Sequence, residues 1–308
     1  MSRIRIATRE SQLALWQANE VARLLTVFHP DIDIEIIGMT TQGDRFLQAS
    51  LAAAGGKGLF VKELEQCLLD SNADIAVHSM KDVPFELPET LEISTILERE
   101  DPRDAFVSNQ YSSLNELPNN AIVGTSSTRR ECQLKAIRND LNIQPLRGNV
   151  NTRLSKLDDG QYDAIILASA GLKRLGFRDR ISSVIDIDTS LPAIGQGAIG
   201  IECRQDDQST KALLTPLHHQ ATAIAVTAER AISTALSANC HLPIAAHAHH
   251  HDELINLDAL VGLPDGTKII RSHSSGKLAD IAIVTEHVIN DLVNQGAYEL
   301  VDSLRENS

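Results

Sequence analysis

Three times in this chain an apolar, β-like run gives way to a short loop of small and hydroxyl residues carrying arginines, at residues 3–11, 122–130 and 145–153, and an amphipathic stretch follows. A strand handing over to a helix is the unit of a layered α/β fold, because the helix carries the chain back across the sheet before the next strand pairs. The pattern also constrains the loops chemically. The first turn of a helix has N–H groups without intrahelical partners, so a loop that adds guanidinium forks gathers donors around one spot. Anion sites, built several times over, are the expectation.

The rest of the composition narrows the anion. With a formal net charge of −13 the body of the protein repels nucleic acid, and at 3% aromatics it lacks the stacking platforms of single-strand binders. A small polycarboxylate or phosphate held in a cleft is expected instead. The 308 residues leave room for two or three domains with cores of their own. The amino terminus runs straight into Ile4 and Ile6 without a basic or apolar leader, and no apolar run approaches the length of a membrane span. A cytoplasmic protein with no membrane partner is expected. Cys67, Cys132, Cys203 and Cys240 are far apart and form no C-x-x-C pair, which argues against a disulfide framework and a zinc cluster, so no metal site is expected.

Periodicity predicts strands at residues 3–8, 32–39 and 74–77 and helices at 11–25, opened by the hydroxyl of Ser11, and 59–69. The charged segment 99–104, with Pro102, reads as a crossing into a second domain. Strand–loop–helix units follow at 121–138 and 142–157, then a buried strand at 163–168, and this alternation favours largely parallel sheets. Residues 191–200 read as a second crossing, with a strand at 198–203 returning to the first domain so that two connections act as a hinge. The last third, with a helix at 221–236, a hairpin turning at Pro264, Asp265 and Gly266, and a final helix from about residue 279, reads as a small α+β domain. The expected domains are 1–98 plus 198–216, then 99–197, then 217–308.

Several motifs have competing readings. The glycines at 195, 197 and 200 match a dinucleotide fingerprint by letter, but a strand-like run follows where that motif needs a helix, which favours a hinge. Gly55, Gly56 and Gly58 surround Lys57 without the Ser or Thr of a phosphate loop, and read as a mobile loop delivering Lys57 to a cleft. Arg129 and Arg130 on a solvated face would contribute only about 0–1 kcal/mol each. The hydroxyls of Thr125, Ser126 and Ser127 just before them favour an anion site, where charge-assisted hydrogen bonds contribute about 1.5–3 kcal/mol each. Asp82 reads either as a turn carboxylate or as a ligand-facing group at the carboxyl end of a parallel strand. Taken alone, Cys240 reads as a buried thiol. The tract from His247 to His251, without a framing carboxylate or cysteine, reads as an exposed turn.

Segments 6–11, 55–62, 76–84, 99–106 and 146–150 together resemble the porphobilinogen deaminase (hydroxymethylbilane synthase) family over essentially the whole chain. The resemblance implies an α/β protein of three domains, the first two like type II periplasmic binding proteins joined by a two-strand hinge and the third a small α+β domain. It also implies a transferase that condenses four porphobilinogen molecules head to tail, with loss of ammonia, on a dipyrromethane cofactor attached by thioether to the cysteine matching Cys240. Arg9, Ser11, Lys81, Thr125, Ser127, Arg129, Arg130, Arg147, Arg153 and Arg174 match positions that bind acetate and propionate side chains of the rings. Lys57 and Gly148 are expected to join them, and Phe60 and Gln196 to line the cleft. Asp82 matches the carboxylate that stabilises cationic azafulvene-like and pyrrolinium species. The implied partners are porphobilinogen and the growing chain, with a monomer expected. Ala53, where many relatives carry lysine, and Ala238 with Asn239, where glycines are common, depart from the pattern. Without Asp82 and Cys240, the same two-domain cleft would read as a solute-binding protein holding a dicarboxylate.

Overall fold

The computed structural model describes residues 3–45, 58–236 and 242–306. The chain begins with β1 (Arg3–Arg9), α1 (Gln12–Phe28), β2 (Asp33–Met39), α2 (Gln42–Arg45), α3 (Lys62–Leu69), β3 (Ile75–Ser79) and β4 (Leu91–Ile96). It continues with β5 (Asp104–Val107), β6 (Ile122–Gly124), α4 (Thr128–Ile137), β7 (Asn142–Gln144), α5 (Val150–Asp158), β8 (Ala164–Ala168), α6 (Ser169–Arg174) and β9 (Ser183–Val184). The last elements are β10 (Ile199–Arg204), α7 (Gln208–Leu214), α8 (Gln220–Ala235), β11 (Ile244–His251), β12 (Leu254–Gly262), β13 (Ile269–Lys277), α9 (Ile281–Asn294) and α10 (Ala297–Glu306). Residues 1–100 with 198–224 form one compact unit, and 101–197 with 225–308 form another.

The first unit holds a five-stranded sheet in the order β2-β1-β3-β10-β4. Helix α1 starts where Ser11 accepts the Ala14 N–H at 3.3 Å, and it buries Ala14, Ala18, Val21 and Leu25, a helical repeat, against one side of the sheet. Helix α3 lays Leu64, Cys67 and Leu68 over Ala7 and Ala76. Each large side chain so buried stabilises the unit by about 1.5–3 kcal/mol. The sheet is mixed, contrary to the largely parallel arrangement expected: β1 is parallel to β2 and β3, but β10 is antiparallel to both β3 and β4. The reason is non-local. β10 enters after the long excursion through residues 101–197, and no crossover helix fixes its direction.

The second unit holds two sheets. One has the order β7-β6-β8-β5-β9, with Phe106, Val123 and Ile166 in one core and Val107, Ile165 and Leu167 in another. Asn149 caps α5, accepting the Thr152 N–H at 3.0 Å. Gly148 before it has φ 114°, and a Cβ there would lie 2.7 Å from the Thr152 side chain, so only glycine fits this turn. The other sheet, β11-β12-β13, is antiparallel and packs against α9, with the hairpin turn at Gly266 as expected. The histidine tract is not an exposed turn. It belongs to β11, paired with β12 from Ile244 to His251, and His247 is only 4% exposed. Small alanines at 245, 246 and 248 let the strand pack closely, which composition alone does not reveal. None of the described helices is long and apolar enough to cross a membrane.

Candidate functional site

Because β1 and β3 are parallel, Arg9 and Ser79 end at one edge of the first sheet, the edge where α/β proteins place ligands. A pocket open to solvent lies there; Arg9, Ser11, Phe60, His78, Ser79 and Asp82 are among its walls. Asp82 closes the single 3-10 turn of residues 80–82 that follows β3, and its side chain is exposed. The turn is anchored by the Met80 N–H, which donates to Ala198 O at 3.0 Å, and the neighbouring Lys81 is half-buried.

Arg9 is held on two sides. Its guanidinium donates to the Asp44 carboxylate, through Nε at 3.1 Å and again through Nη2, and its Cζ lies 4.2 Å from the centroid of the Phe60 ring. Burial pushes the Asp44 carboxyl up, but hydrogen bonds from Arg9 and Thr41 outweigh it and hold this acid below its ordinary range. Phe60 packs closely against Gly43, where a Cβ would come within 2.3 Å of the ring. Within the pocket wall, Gln17 Nε2 donates to Ser79 Oγ at 2.8 Å, and His78 Nε2 lies 2.9 Å from Oε2 of the buried Glu202.

The second unit concentrates its cations around one acid. Asp104, the first residue of β5, is fully buried and accepts hydrogen bonds from Arg129 Nη2 at 2.8 Å, Arg130 Nη2 at 2.8 Å, Arg130 Nε at 3.0 Å, Ser190 Oγ at 3.0 Å and Gln196 Nε2 at 3.0 Å. Burial pushes the Asp104 carboxyl up, yet the two guanidiniums pull it far below the carboxylate range. Arg129 and Arg130 are only 4% and 6% exposed. Burial lowers Arg129 in turn, and its Nε has no hydrogen-bond partner among the described residues. Arg129 Nη1 also donates to Leu191 O at 2.6 Å and Arg130 Nη1 to Ile166 O at 2.9 Å, so what the pair offers a polycarboxylate cofactor is chiefly the excess positive charge of two guanidiniums on one carboxylate.

The other expected residues are spread through the same unit. Thr125, buried at the end of β6, accepts the Ser127 N–H at 3.2 Å, and Ser127 stands at the entrance of α4. Arg153 Nε donates to Gly148 O at 2.8 Å, Arg147 O accepts from Lys156 Nζ at 3.2 Å, and Arg174 Nη2 donates to Gly197 O at 2.7 Å. Lys57 and Cys240 lie outside the described residues, as do Ala53, Ala238 and Asn239. The remaining cysteines are buried, and burial pushes the Cys132 thiol up to about 11, away from nucleophilic thiolate. Sequence reasoning missed Asp44, Asp104 and Glu202. For Asp104 a signal existed: a carboxylate leading directly into the apolar run of β5 must be buried, and so must find cations.

One unit with an aligned arginine and an exposed carboxylate at a sheet edge, and one with a carboxylate-pinned arginine pair, are the equipment of an α/β protein for small polyanions. Residues 4–212 match the family model of the porphobilinogen deaminase dipyrromethane cofactor-binding domain, and residues 223–294 that of the porphobilinogen deaminase C-terminal domain. The chain belongs to the porphobilinogen deaminase family: it is a transferase of tetrapyrrole biosynthesis that condenses porphobilinogen into hydroxymethylbilane and uses a dipyrromethane cofactor. Among solved structures, it is similar to a periplasmic substrate-binding protein of an ABC transporter from Coxiella burnetii at 15% identity, covering 71% of this chain and 94% of that one with a TM-score of 0.43. It is also similar to a nutrient binding protein from Burkholderia cenocepacia bound to methionine, at 12% identity over 68% and 90% with a TM-score of 0.43. The Bordetella pertussis BvgS VFT2 domain gives 18% identity over 69% and 84% with a TM-score of 0.42.

Proposed function

We propose that porphobilinogen is condensed at the pocket lined by Arg9, Ser11, Phe60 and Asp82, with Asp82 as the catalytic residue and Lys81, its neighbour in the same turn, as a further carboxylate-binding cation. The observation that carries this reading is the exposed Asp82 carboxylate on a pocket wall that also presents the aligned Arg9. Loss of ammonia from the aminomethyl group leaves substrate with an electron-deficient methylene, its positive charge shared with the ring nitrogen. A fixed carboxylate beside that nitrogen stabilises the charge as it develops, at little reorganisation cost. Arg9, already held by Asp44 and Phe60, is preorganised to receive an acetate or propionate, and Ser11 at the start of α1 adds a polar group to the same wall.

The remaining cations serve the cofactor and the growing chain. Thr125, Ser127, Arg129, Arg130, Arg147, Gly148, Arg153, Arg174 and Gln196, with Lys57, bind ring carboxylates; the excess buried charge around Asp104 supports this assignment. When bound, the dipyrromethane, joined by thioether to Cys240, would supply the free ring carbon to which the first unit is added, later units extending the free end of the chain. Three separate sheets support domains at 1–98 plus 198–216, 99–197 and 217–308. A cytoplasmic monomer that does not bind nucleic acid accords with the net charge of −13.

Intact mass spectrometry tests the reading. The purified protein should exceed its sequence mass by one dipyrromethane, Cys240→Ser should lack the adduct, and alanine at Cys67, Cys132 or Cys203 should leave it in place. A Cys240→Ala protein that is active without an adduct overturns the assignment.

A further inference from the structure

Glu202 is 1% exposed in the middle of β10, next to the central strand of its sheet, where an apolar side chain would be the ordinary occupant. One of its carboxylate oxygens meets His78 Nε2 at 2.9 Å; the other, Oε1, is buried and has no hydrogen-bond partner among the described residues. The register explains the meeting, since Glu202 stands opposite Ala76 and Gly200 opposite His78, which places Glu202 diagonally across from His78 on one face. From α3 a second acid, Glu65, approaches, and burial followed by the charge of Glu202 pushes its carboxyl up, which disfavours another negative charge there. Stability does not account for such a group. A buried polar pair is often no better than apolar residues of the same volume, and an unsatisfied buried oxygen adds a further cost.

What the pair touches is the pocket. His78 is one of its walls and leads through Ser79 directly into the turn carrying Lys81 and Asp82. The same strand end is braced from two other directions, by Gln17 on Ser79 and by Ala198 O on the Met80 N–H. Gly200 lies beneath Met80, where a Cβ would stand 2.2 Å from its sulfur, so β10 approaches the turn as closely as a backbone can. We propose that Glu202 is a positioning residue for the condensation, acting through His78 to fix the strand end from which Asp82 enters the pocket.

The proposal rests on the assignment of that pocket as the reaction site, and the test separates the two. Glu202→Gln keeps the shape and one hydrogen bond while removing the charge. It should lower kcat by about tenfold to a hundredfold, the scale of a small misplacement of a reacting group, with KM for porphobilinogen within about twofold. The His78 ring nitrogens, followed by NMR, should lose the signature of Nε2–H bound to a carboxylate. His78→Gln should be similarly impaired, and the double variant should be no worse than His78→Gln, because one residue acts through the other. The apolar pair His78→Leu with Glu202→Met should fold and melt near the parent, yet show the same loss of kcat. Parental kcat in Glu202→Gln or in the folded apolar pair, or effects that multiply in the double variant, would overturn the inference. If Asp82→Asn turned over like the parent, the pocket assignment itself would fall. If Asp82→Asn failed while Glu202→Gln did not, only the positioning role would.

Discussion

Arg9 and the pair Arg129 and Arg130 are all held by an aspartate, but in different proportions. In the first unit one guanidinium meets one carboxylate, part of the pair remains accessible, and the exposed Asp82 stands on the same pocket wall. In the second unit two guanidiniums share Asp104, which is wholly buried, and Ser190 and Gln196 complete its shell. A charge partly in water costs less to keep and less to lose. A buried charge is expensive to create and destabilising to unbalance. Under the proposed function, residues of similar type therefore carry different burdens, turnover in one unit and integrity as well as binding in the other.

The sharpest way to break this contrast is at Asp104. Asp104→Asn leaves two buried guanidiniums facing a neutral amide and should destabilise the protein by about 3–5 kcal/mol, read as a lower melting temperature. The pH dependence has a definite sign. The folded-state acid is depressed, so its stabilisation is complete above the ordinary carboxylate range and is lost as pH falls through that range toward the folded value. The difference between parent and Asp104→Asn should shrink on acidification. An equal melting temperature at neutral pH would show that the arginines are satisfied without the carboxylate charge.

Next in size is Asp82→Asn, which tests the other side of the comparison. Folding and melting temperature should survive, since the side chain is exposed, while turnover should fall by about a hundredfold or more, as when a preorganised electrostatic partner is removed. Melting curves that move while turnover stays would reverse the roles assigned to the two acids.

These two aspartates also mark what was legible beforehand. Asp82 could be placed because its position depends on a local rule, the end of a strand followed by a turn, and the Ser11 cap and the apolar repeat of α1 follow from equally local patterns. The partnership of Asp104 with Arg129 and Arg130 joins residues 25 and 26 positions apart, and periodicity carries no information about it. The antiparallel entry of β10, and with it the meeting of Glu202 and His78 across 124 positions, depends on how the whole excursion through the second unit returns. The histidine tract reads as an exposed turn because no carboxylate or cysteine frames it in sequence, but pairing with β12 and the small alanines around His247 decide its burial.

The smallest expected effect belongs to Arg9→Lys, which keeps the charge and removes the geometry. A lysine ammonium cannot give Asp44 two parallel hydrogen bonds and cannot lie flat on Phe60, so the side chain would no longer be fixed before substrate arrives. The stability cost should be about 1 kcal/mol or less, because the ion pair is partly solvated and a charge remains beside Asp44. The main change should appear in KM for porphobilinogen, raised several-fold, on the order of the 1 kcal/mol that a lost preorganised contact represents. Turnover at saturating substrate should change little if Arg9 serves to hold a carboxylate and Asp82 to stabilise charge. A kcat loss as deep as that of Asp82→Asn would mean that Arg9 acts on the reacting ring itself, and the division of labour within the pocket would have to be redrawn.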